Sequence, residues 1–158
     1  MGDGNVMQKL NEKDILQEIE KHTLFLQNFC GCGKRLNFMN VDLTGFNFSG
    51  LNLQFANFID CILNNCKFKN CDLYSASFKG SIGSNINFAK SICCQTSFQH
   101  CNFENCNFKS AKFSEVCYFE GANLINCKFD DINKLFEVER SNSIERPIIC
   151  NRDNCIPY

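Results

Sequence analysis

Large apolar residues return at every fifth position through the middle of the chain. The series starts at Phe38 and keeps one register for 16 positions, to Phe113. One extra residue within 114–116 then shifts the register, and the series ends at Phe129 after 19 centres, of which 17 are Phe or Leu. A period of five fits neither an α-helix nor a long β-strand. It predicts short extended pairs of inward residues that alternate with tight turns.

A second series of mostly small residues lies two positions before each centre. Seven of its members are cysteines: Cys61, Cys66, Cys71, Cys101, Cys106, Cys117 and Cys127. We predict that these thiols point into the core as small apolar groups, with raised pKa values and little reactivity. Between the two series, Asn or Asp fills 10 of 19 positions, and pairs such as Asn64-Asn65 suit tight turns. Such units must stack on copies of themselves to bury their inward residues.

This pattern resembles the pentapeptide-repeat family, in which a small residue is followed by Asp or Asn, then Leu or Phe, then two polar residues. The segments ANFID (56–60), CDLYS (71–75), CNFEN (101–105), CNFKS (106–110) and ANLIN (122–126) match it well. The resemblance covers roughly residues 36–131. It implies an all-β solenoid, a right-handed quadrilateral parallel β-helix with four pentapeptides to each coil and about 4.75 coils for the 19 centres.

Folding the sequence at intervals of 20 residues tests this geometry. Two opposite faces then consist of phenylalanine alone, and we predict that these ten side chains form the centre of the core. They are Phe38, Phe48, Phe58, Phe68, Phe78, Phe88, Phe98, Phe108, Phe119 and Phe129. The other two faces mix Leu and Phe with Gly83 and Cys93. Because Gly83 leaves a centre empty, we expect the surrounding segment SIGSNINF to be loosened or deformed.

The repeats divide the chain into three parts: an N-terminal helix and cap (1–35), the β-helix (36–134), and a C-terminal cap with an irregular tail (135–158). Residues 11–29 predict an amphipathic helix with Asn11 as its N-cap. Its apolar face is Ile15, Ile19, Leu26 and Phe29. We expect this helix to cover the first coil; the alternative is a partner-binding helix.

Bulky residues occupy the usually small position of the first coil. They are Leu36, Val41, Phe46 and Leu51, and they predict a wide coil packed under the helix. After the repeats, we expect Leu135, Phe136 and Val138 to cap the other end. Without such covers, the end strands of the rod would invite aggregation.

The composition limits the classes of function. A formal net charge of −1 and a pI near 6.1 argue against a general nucleic-acid or membrane-surface binder. We see no signal-peptide pattern at the N-terminus and no apolar run long enough to span a bilayer. We therefore expect a bacterial, cytoplasmic protein whose 13 cysteines are reduced.

The cysteines could in principle bind metal or form disulfides. Zinc needs four converging ligands, whereas cysteines five positions apart lie on successive faces of a coil. Cys106 and Cys127 form the clearest stacked pair, although side chains stacked in register suit a disulfide poorly. The pairs Cys30/Cys32 and Cys150/Cys155 stay open as disulfide or metal candidates. We expect no metal site and no cofactor.

We find no catalytic constellation. His22 is expected on the surface of the N-terminal helix and His100 at an outward turn, and neither pairs with a nucleophile. The segment CGCGK lacks the Ser or Thr and the strand-to-helix context of a phosphate-binding loop. We therefore predict no catalytic residues and no enzymatic activity.

The family resemblance offers one specific activity. Quinolone-resistance proteins of the Qnr and MfpA types dimerise and mimic DNA to bind gyrase, which requires a strongly acidic surface. Residues 36–134 contain eight acids and eight lysines, and Lys67, Lys69, Lys109 and Lys112 would oppose such mimicry.

Our main interpretation is therefore a non-enzymatic structural or protein-interaction module with an unknown protein partner. The DNA-mimicking topoisomerase inhibitor and a thiol metal-binding protein are alternatives. We expect neither direct nucleic-acid binding nor membrane association. A homodimer through one end of the rod is open, since an uncovered coil has unpaired backbone groups.

Overall fold

The computed structural model describes residues 7–27, 33–113, 117–130, 148–151 and 154–157. Within these residues one helix, α1, spans Glu12–Gln27, and the other regular elements are short strands. The strands are β1 (Gln8–Lys9), β2 (Asn37–Met39), β3 (Val41–Asp42), β4 (Asn57–Ile59), β5 (Ile82–Ser84), β6 (Asn102–Glu104), β7 (Asn123–Ile125), β8 (Ile148–Asn151) and β9 (Asn154–Pro157).

Parallel pairing recurs every 20 residues on four faces, as the period predicts. We number the faces by their first centres: Phe38 (first face), Leu43 (second), Phe48 (third) and Leu53 (fourth). On the first face Asn37, Asn57 and Ser77 pair in sequence, and the same spacing holds on the other three. Each coil therefore lies about 4.8 Å above the one before it.

The extra residue shifts the register where the sequence places it. Ile92 pairs with Lys112, 20 residues later, whereas Ser97 pairs with Tyr118, 21 residues later. Asn107 with Lys128 keeps the new spacing of 21. The insertion therefore lies between Lys112 and Tyr118, which confirms the predicted position.

Each corner of the coil requires a left-handed backbone. Every fifth position has a positive φ, for example 58° at Asn70 and 55° at Asn105, with glycines such as Gly45 (81°) at others. Asn and Gly tolerate this conformation best among the common residues. The residue before the centre supports the same turn, because its side-chain oxygen accepts a backbone hydrogen bond, as from Ser49 N to Asn47 Oδ1 (3.1 Å). The asparagine excess thus arises from two turn positions.

The phenylalanine columns form the core of the rod. Within a face the rings stack nearly parallel, as in Phe48–Phe68 (centroids 4.8 Å apart, 6° between planes) and Phe58–Phe78 (5.0 Å, 4°). Between opposite faces they meet edge to face, as in Phe58–Phe68 (5.3 Å, 86°). Nine of the ten predicted phenylalanines are buried, and Phe129 in the last described coil is half-buried. Both ring arrangements are favourable for aromatic quadrupoles.

Ile86 fills the space that Gly83 leaves. A Cβ added at Gly83 would lie 2.9 Å from Ile86 Cδ1 and 3.0 Å from the Leu63 carbonyl carbon. Ile86 occupies a usually small position and is fully buried. Strand β5 keeps regular pairing, with Ile82 opposite Asn102. The expectation of a loosened segment is therefore wrong, because a large side chain three residues later supplies the missing volume.

Helix α1 covers the first coil. Asn11 caps it as predicted, since its Oδ1 accepts the Asp14 N–H (2.9 Å). Helix α1 accounts for Glu12–Gln27 of the predicted span of 11–29, and residues 28–29 lie outside the described residues. Ile15 and Ile19 are buried and Leu26 is half-buried, whereas the predicted contact of Phe29 lies outside the described residues.

The first coil contacts the helix through its bulky inward residues. Leu36 and Val41 are buried, and Phe46 and Leu51 are half-buried against the same core. Strand β1, which the sequence did not predict, pairs in parallel with β3 and so occupies part of the open edge.

The C-terminal residues form a hairpin instead of an irregular tail. β8 pairs in parallel with β7, and β9 pairs antiparallel with β8. The prediction of an irregular tail within residues 135–158 is wrong for these strands. The physical reason is that the end of the coil stack leaves a row of unpaired backbone groups, which β8 pairs with. The predicted cap residues Leu135, Phe136 and Val138 lie outside the described residues.

We predict that the two inward positions of the repeat contribute differently to the free energy of unfolding. Phe108→Ala should lower the free energy of unfolding by about 3–5 kcal/mol, because it removes a stacked, buried ring, whereas Cys106→Ala should cost only about 1 kcal/mol. Chemical denaturation of both variants measures this. Equal losses would contradict the assignment of the core to the phenylalanine columns.

The filling of the space at Gly83 by Ile86 gives a second prediction. Gly83→Leu restores the usual centre residue, yet it should destabilise the fold by about 1–3 kcal/mol because the site is already occupied. Adding Ile86→Ala should recover much of the loss and give a coupling free energy of about 1 kcal/mol or more. Additive effects in this double-mutant cycle would show that the two positions are independent.

Candidate functional site

The seven predicted core cysteines all lie in the interior. Each is at most 7% exposed. Most donate a weak hydrogen bond to a carbonyl of the preceding coil, such as Cys66 Sγ to Leu43 O (2.9 Å) and Cys71 Sγ to Phe48 O (3.0 Å). Ser81 and Thr96 occupy the same position and donate to equivalent carbonyls at 2.7 and 2.8 Å. The position thus selects small side chains that can also donate, which the sequence analysis missed.

Burial keeps these thiols protonated. It raises the pKa of Cys61 to about 11, that of Cys66 to about 12 and that of Cys71 to about 11. Burial also raises the pKa of Cys101 far above its ordinary value. Because the thiolate is the nucleophile and the metal ligand, these groups suit neither role at neutral pH.

The stacked thiols of Cys106 and Cys127 share a hydrogen bond, which shifts their two pKa values in opposite directions and lowers that of Cys127. The hydrogen bond with the Cys127 thiol and burial together raise the pKa of Cys106. Neither residue is in a disulfide, and the same holds for all nine cysteines whose side chains the structure describes. The pair is therefore a packing contact between two thiols.

Two further cysteines lie together on the fourth face. Cys93 occupies a centre, is fully buried, and its Sγ lies 3.2 Å from Ser91 Oγ. Cys94 follows at a position that normally faces outward, yet it is only 8% exposed, and its Sγ lies 3.9 Å from Lys112 O. The five-residue period alone gives no signal for the burial of Cys94.

His22 is buried, so the prediction of a surface histidine is wrong. It follows Ile15 and Ile19 at helical spacing (15, 19, 22, 26), a signal that could have placed it on the covered face of α1. Its Nδ1 accepts the Leu36 N–H (3.1 Å), which joins the helix to the first coil. Burial, aided by the positive charge of Arg35, lowers the pKa of His22 and favours this neutral form. His22 Nε2 has no hydrogen-bond partner among the described residues.

The other predicted chemical groups do not form a described site. His100 is exposed at a corner, as expected. Cys30 and Cys32 lie outside the described residues. The β8–β9 register places Cys150 opposite Cys155, but their side chains are outside the described part. Within that part, no group of three or more His, Cys, Asp or Glu is placed to hold a metal ion.

One depression adjoins the start of α1. A groove of about 510 Å³ lies between the helix and the first coil, and is lined by residues such as Leu10, Leu16, Asp42 and Phe46. The same lining contains neither a histidine nor a cysteine. The groove therefore offers no pair of a cysteine nucleophile and a histidine base.

Charge is divided unevenly among the four faces. The third face and its following corner carry five exposed lysines, which we name the basic face: Lys67, Lys69, Lys90, Lys109 and Lys128. Among the described residues, the acid on this face is Asp130, whose Oδ2 accepts the Ser110 N–H (2.7 Å). The other described acids of the coils lie on the remaining faces: Asp42, Asp60, Asp72, Glu104 and Glu120. The neutrality expected from the total charge therefore conceals a segregation of charge.

Comparison with known proteins agrees with the geometry. The family model for pentapeptide repeats matches eight copies at residues 37–73, 52–82 and 84–117, which cover just over half of the chain. The chain belongs to the pentapeptide-repeat family. Its repeats thus form the right-handed quadrilateral β-helix that the sequence predicts.

A solved structure and the curated proteins add little to this assignment. The chain is 21% identical to a pentapeptide repeat protein from the thylakoid lumen of Arabidopsis thaliana, over 66% of this chain and 79% of that one, with a TM-score of 0.22. No curated protein matches the chain. Among the described residues of this pentapeptide-repeat protein, no helix is long and apolar enough to cross a membrane.

The raised thiol pKa values predict a loss of stability at alkaline pH. In the unfolded chain a cysteine thiol has a pKa of about 8.5. In the folded protein, burial raises the pKa to about 11 for Cys61 and Cys71 and to about 12 for Cys66. The contribution of these buried thiols to the free energy of unfolding is therefore fully present below about pH 8.5 and is lost as the pH rises toward about 11–12. Denaturation at a series of pH values measures this.

The variant Cys71→Ser is the matched control, because a serine hydroxyl can replace the hydrogen bond without ionising in this range. It should show a shallower decline with pH than the natural chain. If the free energy of unfolding declined equally steeply with pH in the two proteins, the raised pKa of Cys71 would be contradicted.

Proposed function

We propose that this pentapeptide-repeat protein is a non-enzymatic interaction module, a rigid rod whose outward faces bind a partner protein in a reducing compartment such as the cytoplasm. The main observation in support is that inward and outward positions of the repeat have different roles. Inward positions are filled by buried rings and by protonated thiols such as Cys66 and Cys71. What remains for function is the set of outward side chains.

The ladder makes these outward side chains suitable for recognition. Parallel pairing holds their Cα atoms in columns, as in Asn47, Lys67 and Asn87 on the third face. A column with a spacing of about 4.8 Å loses little backbone freedom when a partner binds. The rod thus presents preorganised flat surfaces.

The DNA-mimicking alternative has weaker support. Mimicry of a duplex requires acidic side chains over the surface that faces gyrase. The basic face carries Lys67 and Lys109 where such a mimic would need carboxylates, and the acids of the other faces are fewer than one per pentapeptide. A gyrase supercoiling assay that showed inhibition or drug protection would favour this alternative.

A capture experiment tests the proposal. The immobilised protein and a variant with its exposed side chains exchanged among the four faces are incubated with extract of the cells that express the protein. The exchange keeps composition and net charge, so it controls for nonspecific charge. We expect the natural protein to retain a partner that the folded variant loses.

Two results would contradict the proposed function. Equal capture by both proteins would show that the outward faces do not select a partner. A saturable turnover that depends on a surface residue would show that the protein is an enzyme. Circular dichroism and thermal melting of the variant confirm beforehand that its coils are intact.

A further inference from the structure

We propose that the basic face is the docking surface for an acidic surface of a partner protein. This inference rests on the proposed interaction role and names the partner's chemistry. Among the described residues of the coils, five of the seven lysines lie on this face, while Lys79 and Lys112 lie on others. Only one of the six described acids of the coils, Asp130, shares it.

The positions of the five lysines form a compact pattern. Lys67 and Lys128 occupy one column, three coils apart, with Asn87 and Asn107 between them. At about 4.8 Å per coil their Cα atoms lie about 14 Å apart. Lys69 and Lys109 follow the centres of coils that are two apart, at about 10 Å. These separations are small enough for the lysines to belong to one contact patch on a protein surface.

The uncharged side chains of the same face are arranged to donate hydrogen bonds. Asn87 Oδ1 accepts the Ala89 N–H (3.0 Å), and Asn107 Oδ1 accepts the Lys109 N–H (3.1 Å). Asn47 does the same with the N–H of Ser49 (3.1 Å). Since each amide oxygen accepts a backbone hydrogen bond, the NH₂ group is the remaining polar group of each amide and can only donate. A surface of donors and positive charges fits carboxylates.

Internal ion pairs do not account for the lysines. Within the described part of the chain, none of the five forms a salt bridge, and the one recorded there joins Lys21 to Glu18 in α1. Asp130 uses a carboxylate oxygen for the Ser110 N–H. The positive charge of the face is therefore available to a partner.

Lys90 shows that the fold does not explain the charge. It occupies a corner with φ of 61°, and the other described corners of this face are Gly50, Asn70 and Ser110. A lysine is less favourable in this backbone conformation than Gly or Asn. Lys90 is exposed and forms no salt bridge among the described residues, so an internal ion pair does not explain its charge.

A protein partner fits better than a nucleic acid or a membrane. Residues 36–130 contain no arginine, the side chain that binds phosphate in bidentate fashion. The exposed aromatic residues Phe55 and Tyr118 lie outside the basic face, so no base-stacking platform accompanies the lysines.

The test uses poly-L-glutamate as the acidic probe and two double variants. K67Q/K109Q neutralises two lysines of the basic face, and K13Q/K79Q neutralises two exposed lysines elsewhere, so both change the formal net charge equally. We expect K67Q/K109Q to weaken the affinity about tenfold or more and K13Q/K79Q to change it less than about twofold. Raising the salt from about 20 to about 200 mM should weaken binding by the natural protein.

Three results would overturn the proposal. They are no binding of poly-L-glutamate, equal weakening in the two double variants, or tighter binding, through the same lysines, of a DNA duplex or of vesicles that contain phosphatidylserine. The last result would reassign the face to a nucleic acid or to a membrane. Melting temperatures of both variants confirm that each is folded.

The failure of this inference can be separated from the failure of the proposed function. If K67Q/K109Q captures the cellular partner as well as K13Q/K79Q does, the basic face is not the docking surface and the interaction role stands. If the natural protein and the face-exchanged variant capture alike, the interaction role itself fails.

Discussion

The register of the coils is the constraint on which the rest of the structure depends. Each inward side chain must fit directly over its equivalent in the coil below, at about 4.8 Å. Phenylalanine meets this condition by parallel stacking, and the Phe88–Phe108 centroids lie 4.7 Å apart with 8° between their planes. Rings from opposite faces then meet edge to face, so each ring fixes both its own column and its neighbour's. The single inserted residue before Tyr118 is tolerated because it leaves these columns aligned.

The same constraint explains why inward positions compensate for one another. A centre without a side chain at Gly83 is matched by Ile86 at a position that usually holds cysteine or alanine. At the small positions, thiols and hydroxyls satisfy carbonyls of the preceding coil, as Cys71 and Ser81 do. Such an interior leaves no polar cleft among its described residues, and burial suppresses the reactivity of its thiols. This is why we propose that the function of the rod lies in its outward side chains.

The sequence predicts those parts of the fold that the period controls. The centres, the corners and the position of the insertion follow from counting, because a five-residue unit repeats the same environment. Parts that depend on contacts between units are not periodic: Ile86 is buried because Gly83 is small, and His22 because α1 lies across the first coil. The hairpin of β8 and β9 was missed for a related reason, since its pairing depends on the open end of the stack and not on its own pattern.

In this repeat protein the total charge does not predict how charge is distributed over the surface. Equal numbers of acids and lysines predict a neutral rod only if the residues are distributed at random over its faces. Folding the sequence at 20 residues, which revealed the phenylalanine columns, also sorts Lys67, Lys109 and Lys128 onto one face. Packing does not dictate the identity of an outward residue, so neither stability nor the repeat pattern requires this segregation. Lys90, at a corner where the backbone favours Gly or Asn, runs against the local preference. A bias that the core does not need, and that one corner opposes, is better explained by a partner than by the fold.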